Sequence, residues 1–418
     1  MIFKDKKLIF FYFANILSIF FGLILYLIVI GNSDVNLAKL MFSYSVHLIL
    51  GSILTFGSNL YIFNGLSLLK SEKEKISYII KNNSLFFKVT ILAIFIVIII
   101  SILDLLFSPY KKNFGMDLWP LFFAAFLLSL NKIFYFNFLG FKYFKICYQI
   151  MILRALTILL IFLIFIFNFN FKFEIIISTS FITAELFIII FSLKKITSIK
   201  LLKINFSNFA SIKQMKNSFK LFGDYLFAEI ILKVDVFISM LKFELKSITV
   251  YLISLLFIEG ILTFTIIIRN YFSSKNGYLI SNNNFEEYIN KFKIFSIYSL
   301  VSTIMLIFAS IICLTILNFY FANFDTLAFK YFFIMAIGYF FYSLFAASEL
   351  IFLNRKKYFK QTMYFILALG IQLFFIFILI EDYGIISFPI AISAMFVSMA
   401  LFILIEILSL NKSSNKVM

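Results

Sequence analysis

The chain has 418 residues, of which 63% are hydrophobic and only 14% charged. Soluble proteins run nearer half apolar and a quarter charged, so a soluble enzyme, a disordered chain and a fibrous repeat are excluded. Two Cys and one His make no disulfide scaffold, no thiolate metal site and little imidazole chemistry, and neither metal nor cofactor is expected. The net charge of +17 comes with a Phe-, Ile-, Lys- and Asn-rich composition. It is weak evidence for nucleic acid, and no nucleic-acid partner is expected.

Crossing the hydrocarbon core takes roughly 20 apolar residues of helix. Runs such as Ile91 to Ile100 do not alternate as barrel strands do. The reading is an all-α integral membrane protein, with about twelve transmembrane helices in two six-helix bundles. In chain order the predicted spans are 8–30, 37–62, 85–108, 117–140, 147–169, 174–193, 221–241, 247–269, 294–317, 327–350, 362–380 and 385–409. The first is too long for a signal-peptide core and lacks a small-residue cleavage site, so it is expected to remain. Pro109, Pro120 and Pro389 fall outside spans or near their first turns, so no span is expected to be broken by a buried proline.

Most of the 37 Lys and Arg fall at the two ends and in segments 63–88, 194–220, 269–293 and 354–361. The positive-inside rule then places both termini in the cytoplasm of a multi-pass protein of a bacterial inner membrane. The long basic loops are expected to meet anionic membrane lipids. The loop after the sixth span divides the chain into an N-terminal bundle, 1–200, a cytoplasmic linker, 201–220, and a C-terminal bundle, 221–418. Ile53-Leu54-Thr55-Phe56 recurs as Ile261-Leu262-Thr263-Phe264, which fits two related halves. The loops are too short for a nucleotide-binding fold and contain no phosphate-binding loop. No catalytic constellation emerges, and no enzymatic activity is expected.

Charges inside a span are costly and usually face protein or a water-filled cavity, so the candidate site lies there. His47 is in the second span, Lys132 in the fourth, Arg154 in the fifth and Glu185 in the sixth. The seventh span holds Glu229, Lys233 and Asp235, and the eighth holds Glu259. Glu229 and Lys233 are spaced to pair on one helical face, while Asp235 points elsewhere and requires a partner on another helix. Two readings stay open for these charges: ion pairs that hold helices together, or the lining of a hydrated transport cavity. Lys132, Arg154 and Lys233 suit an anionic substrate. Asn15 and Gln372 are uncharged polar residues in the first and eleventh spans, and Glu406 sits near a helix end.

This layout resembles the polysaccharide flippases of the multidrug/oligosaccharidyl-lipid/polysaccharide exporter superfamily. The stretch from Tyr44 to Leu60, YSVHLILGSILTFGSNL, resembles that family's second helix. Lys233, Asp235 and Tyr251 resemble its passage from helix 7 to helix 8, although Leu252 replaces a small residue and Ile248, Thr249 and Val250 stand where a glycine is usual. The resemblance implies alternating-access flipping of an undecaprenyl-diphosphate-linked oligosaccharide for O-antigen or capsule synthesis. On that reading Lys132, Arg154 and Lys233 contact the diphosphate or acidic sugar. Glu185, Glu229, Asp235 and Glu259 balance charge or couple to protons or sodium, and His47 responds to protons. A polysaccharide polymerase is an expected partner. The alternatives are a multidrug/cation antiporter of the same superfamily and a membrane O-antigen polymerase.

Overall fold

The structure, a computed structural model, describes residues 6–32, 34–107, 118–168, 171–198, 212–282, 284–320, 326–348 and 357–414. Among these residues the regular structure is helical throughout. The helices are α1 (Lys6–Asn32), α2 (Asp34–Ile53), α3 (Ser58–Leu68), α4 (Glu72–Phe107), α5 (Trp119–Gly140), α6 (Phe144–Asn168) and α7 (Phe173–Ser198). They continue with α8 (Ile212–Ile231), α9 (Val234–Lys242), α10 (Leu245–Ser281), α11 (Phe285–Tyr320), α12 (Leu327–Phe345), α13 (Tyr358–Tyr383) and α14 (Ser387–Ser414). This is an all-α, multi-pass membrane protein. In lipid every backbone polar group must be satisfied within the protein, which an apolar helix does by itself. The hydroxyls follow suit: Ser18, Ser45, Ser52 and Ser180 each donate to the carbonyl four residues earlier, at 2.7–2.9 Å, so serine enters an apolar helix without an orphaned donor.

Among the described residues eight helices are long and apolar enough to cross a membrane, or nine when the bent pair Asn36–Ile53 and Ser58–Leu68 is taken as one span. α1 is apolar along most of its length, and its described side chains include the run Ile16–Val29. Two local features lower the count from the twelve expected stretches. The seventh stretch is broken into α8 and the short α9. The last two stretches run together, separated only by the 3-10 turn Gly384–Ile386.

The chain forms two compact units, Ile9–Glu229 and Ile230–Met418 with Met1–Leu8. In the first, α5 is the central helix, packing on α2, α3, α4 and α7, while α6 packs on α7. In the second, α10 packs on α11 and α12, and α14 packs on α12 and α13. Burial separates core helices from lipid-facing ones. The apolar window of α10 is 78% buried and that of α5 67%, against 17% for α4 and α6. Phe95, Phe167 and Phe319 are among the most exposed apolar side chains. With hydrocarbon as the solvent this exposure carries no aqueous penalty, which gives much of the phenylalanine excess its place.

The second span bends by 62° without a proline. Phe56 and Gly57 both take left-handed backbone, with φ of 48° and 70°. A Cβ on Gly57 would lie 2.5 Å from the Ser218 carbonyl oxygen and 2.7 Å from the Phe222 nitrogen of α8. Only glycine admits both that conformation and that backbone approach. Ser218 Oγ donates to the Phe56 carbonyl at 2.7 Å, satisfying a group freed by the break. In the second unit, Gly338 of α12 approaches the Ser393 backbone of α14 so closely that a Cβ would meet its carbonyl oxygen at 2.4 Å.

Candidate functional site

Among the described residues, the charged residues expected to form the site fall into three polar clusters, two in the first unit and one in the second. The first is built around Glu185. Phe181 and Glu185 are four residues apart on α7 and share a face. Phe181 stacks on the His47 ring of α2 at 4.9 Å between centroids, and Glu185 Oε1 lies 3.2 Å from His47 Nε2. Arg154 Nε of α6 donates to the same carboxylate oxygen at 2.7 Å. Asn131 Nδ2 of α5 donates to Glu185 Oε2 at 2.7 Å. Glu185 and His47 are fully buried, while the Arg154 side chain keeps 23% exposure.

His47 Nε2 therefore faces both an acceptor, Glu185, and a donor, Arg154 Nη2, at 3.3 Å. A proton on Nε2 satisfies Glu185, and a bare Nε2 accepts from Arg154. The ring holds two alternative hydrogen-bonding states, and His47 Nδ1 is buried without a partner in this structure.

The neighbouring residue on α5 supplies the second cluster. Asn131 and Lys132 are about 100° apart around the helix, so the first reaches Glu185 and the second turns to α2. Lys132 Nζ donates to Glu229 Oε1 of α8 at 3.0 Å and also to Ser52 Oγ. Ser52 Oγ lies 2.9 Å from Glu229 Oε1 and 2.8 Å from the Leu48 carbonyl. The Lys132 and Glu229 side chains are 14% and 18% exposed.

In the second unit α8 ends at Ile231 and α9 starts at Val234. Lys233, at the break, has φ of −133° and ψ of −9°. The four-residue spacing that would stack Glu229 on Lys233 presumed a continuous helix, and that premise fails here. Lys233 Nζ donates to Glu259 of α10. Asp235, on the separate helix α9, accepts from the Tyr251 hydroxyl of α10. Both residues are buried, and Asp235 Oδ1 has no hydrogen-bond partner.

Each of the three basic candidates is thus held by a carboxylate: Lys132 by Glu229, Arg154 by Glu185 and Lys233 by Glu259. Asn131, Ser52 and Tyr251 complete the clusters. Asn131 stands beside Lys132 in an apolar run, a signal that sequence reading passed over. Ser52 is one of many helical serines and carries no such signal. Glu406, expected at a helix end near the interface, is fully buried and accepts from Lys357 and Lys360 at 2.6 and 2.5 Å. Gln372 is buried with neither amide atom paired. The Asn15 side chain and linker residues 201–211 lie outside the described residues. Among the described residues no group of three or more His, Cys, Asp or Glu could hold a metal ion.

These are the helical units of a multi-pass membrane protein, with charge clusters buried among the helices. Comparison with solved structures specifies the fold as the MATE fold. The structure of MATE in complex with MaD3S matches with a TM-score of 0.73, covering 97% of each chain at 14% identity. An outward-facing conformation of a multidrug resistance MATE family transporter of the MOP superfamily matches at 0.70, covering 97% of this chain and 96% of that one at 13% identity. A mutant of the Vibrio cholerae MATE transporter VcmN matches at 0.68, covering 98% and 96% at 12% identity. No protein-family model matches the chain, and no curated protein matches it.

These likenesses correct the expectation of a polysaccharide flippase. The three solved chains just named, which share this fold from end to end, are MATE structures. The lipid-linked oligosaccharide, the role in O-antigen, capsule or lipopolysaccharide synthesis and the polymerase partner fall with that reading. The motifs that suggested it were short runs of small and apolar residues, which helix packing in any membrane bundle favours. Leu252 is fully buried in α10, so the departure from that family's pattern falls in the packed core.

Proposed function

We propose that the chain is a multidrug/cation antiporter of the MATE type, exchanging small, mostly cationic drugs for protons or sodium by alternating access. The observation that carries this reading is the end-to-end likeness to MATE transporters in both outward-facing and inward-facing conformations. The carboxylates are the coupling groups in this reading. Glu185 and Glu229 belong to the unit Ile9–Glu229, and Asp235 and Glu259 to the unit that starts at Ile230. Lys132, Arg154 and Lys233 set the charge of those carboxylates, and they release or recapture them as the coupling ion or drug binds. His47 donates to Glu185 when Nε2 carries a proton and accepts from Arg154 when it does not. The protein lies in the bacterial inner membrane with both termini in the cytoplasm, as the Lys and Arg distribution supports.

The test is purified protein in liposomes. Efflux of a fluorescent cationic dye is followed under an imposed proton or sodium gradient. Gradient-driven efflux that falls in Asp235→Asn and Glu259→Gln supports the proposal. Dye movement no faster than in protein-free vesicles under either gradient would end it.

A further inference from the structure

The second cluster sits at the bend between α2 and α3, which is a place with the chemistry of a cation site. The α2 C-terminus ends at Ile53, and a helix C-terminus carries partial negative charge on its last carbonyls. Broken helices in transporters use such ends to coordinate cations. An anionic carboxylate, Glu229, and a hydroxyl oxygen, Ser52, converge beside this end. The cation found between them is the Lys132 ammonium. Asn59 lies one turn past the bend, fully buried, with neither amide atom hydrogen-bonded. Gly51 of α2 meets Leu128 of α5 and the Phe63 ring of α3 meets Phe136 of α5, contacts that hold both parts of the bent span against α5. An ammonium close in size to potassium already satisfies the Ser52 and Glu229 oxygens.

We propose that Lys132 is a tethered cation that fills an alkali-metal position formed by Ser52 and Glu229 at the α2/α3 bend. The proposal rests on the cation-antiport reading and refines it: in the resting protein this cluster is charge-balanced from within the chain and takes no sodium or potassium. Removing the ammonium leaves Glu229 partly buried and unpaired, and an external alkali ion then takes its place.

The experiment measures melting of the purified full chain in detergent, in NaCl or KCl against choline chloride at matched ionic strength. No drug is present, so a chain that moves no dye can still give the result, and failure of the transport reading stays distinct from failure here. Wild type and Lys132→Arg are expected to show no sodium- or potassium-specific rise that Glu229→Gln removes. Lys132→Ala and Lys132→Gln are expected to melt several degrees higher in the sodium or potassium salt than in choline, or to require one of them to fold. Adding Glu229→Gln to Lys132→Ala abolishes the difference. A sodium- or potassium-specific rise in wild type that disappears in Glu229→Gln overturns the proposal. So does the absence of any alkali effect, on melting or on folding, in both Lys132→Ala and Lys132→Gln.

Discussion

Truncating Arg154 to Met is the sharpest test of the Glu185 cluster. The two partners are unequally placed: Glu185 is fully buried, while Arg154 retains 23% exposure. A carboxylate stranded at zero exposure has no water to solvate it, and breaking a buried pair from one side costs about 3–5 kcal/mol. The reverse change, Glu185→Gln, leaves a guanidinium that can turn towards its exposed side, and it retains the hydrogen bond from Asn131. Its cost belongs at the lower end, about 1–3 kcal/mol. Replacing both, as Arg154→Met with Glu185→Gln, removes the charges together and strands no carboxylate. The double variant should therefore be more stable than Arg154→Met alone, with a coupling of at least ~1 kcal/mol in the double-mutant cycle. The assay is reversible unfolding of the four proteins in mixed detergent micelles. Strictly additive losses, or Glu185→Gln costing as much as Arg154→Met, would refute the reasoning from unequal burial.

Other expectations follow from the same geometry. Gly57→Ala must hold φ of 70°, at about 1–2 kcal/mol, and also push the α8 backbone away. Its folded yield, read by size-exclusion chromatography, should fall sharply, whereas Gly22→Ala, with nothing within 4 Å of its Cβ position, should be neutral. Lys75 is buried outside the membrane spans and donates to the Gly140 carbonyl at 2.6 Å. Burial, with Lys142 alongside, lowers its pKa to about 8 against the partial support of Glu72. The unfolded chain then binds more protons than the folded one between pH 8 and the ordinary lysine value, so stability should rise with pH across that window. Melting of wild type against Lys75→Met from pH 7 to 10 should show the slope in wild type only. Phe319→Leu, at an 85% exposed position, should change stability by less than about 0.5 kcal/mol, because the side chain faces lipid in either form.

The apolar runs, the helical class and the set of intramembrane charges could all be read from the sequence, because these are local properties. A helix in lipid needs only its own apolar stretch and its own backbone hydrogen bonds. The concentration of intramembrane charge in α2 and α5–α10 was legible for the same reason: an ionisable residue in a span stands out wherever it packs. Which residues pair was decided by the tertiary structure. Glu229 meets Lys132 across 97 positions and Glu185 meets Arg154 across 31, and such partners depend on interhelical register, which no periodicity encodes. The breaks at Phe56–Gly57 and at Lys233 belong there too. The first exists because the α8 backbone closes on Gly57, a contact made by residues more than 150 positions away, while the local sequence has no proline to announce it. The short motifs could not separate one transporter fold from its relatives, since small residues serve close packing in all of them. That distinction came from the path of the whole chain in space.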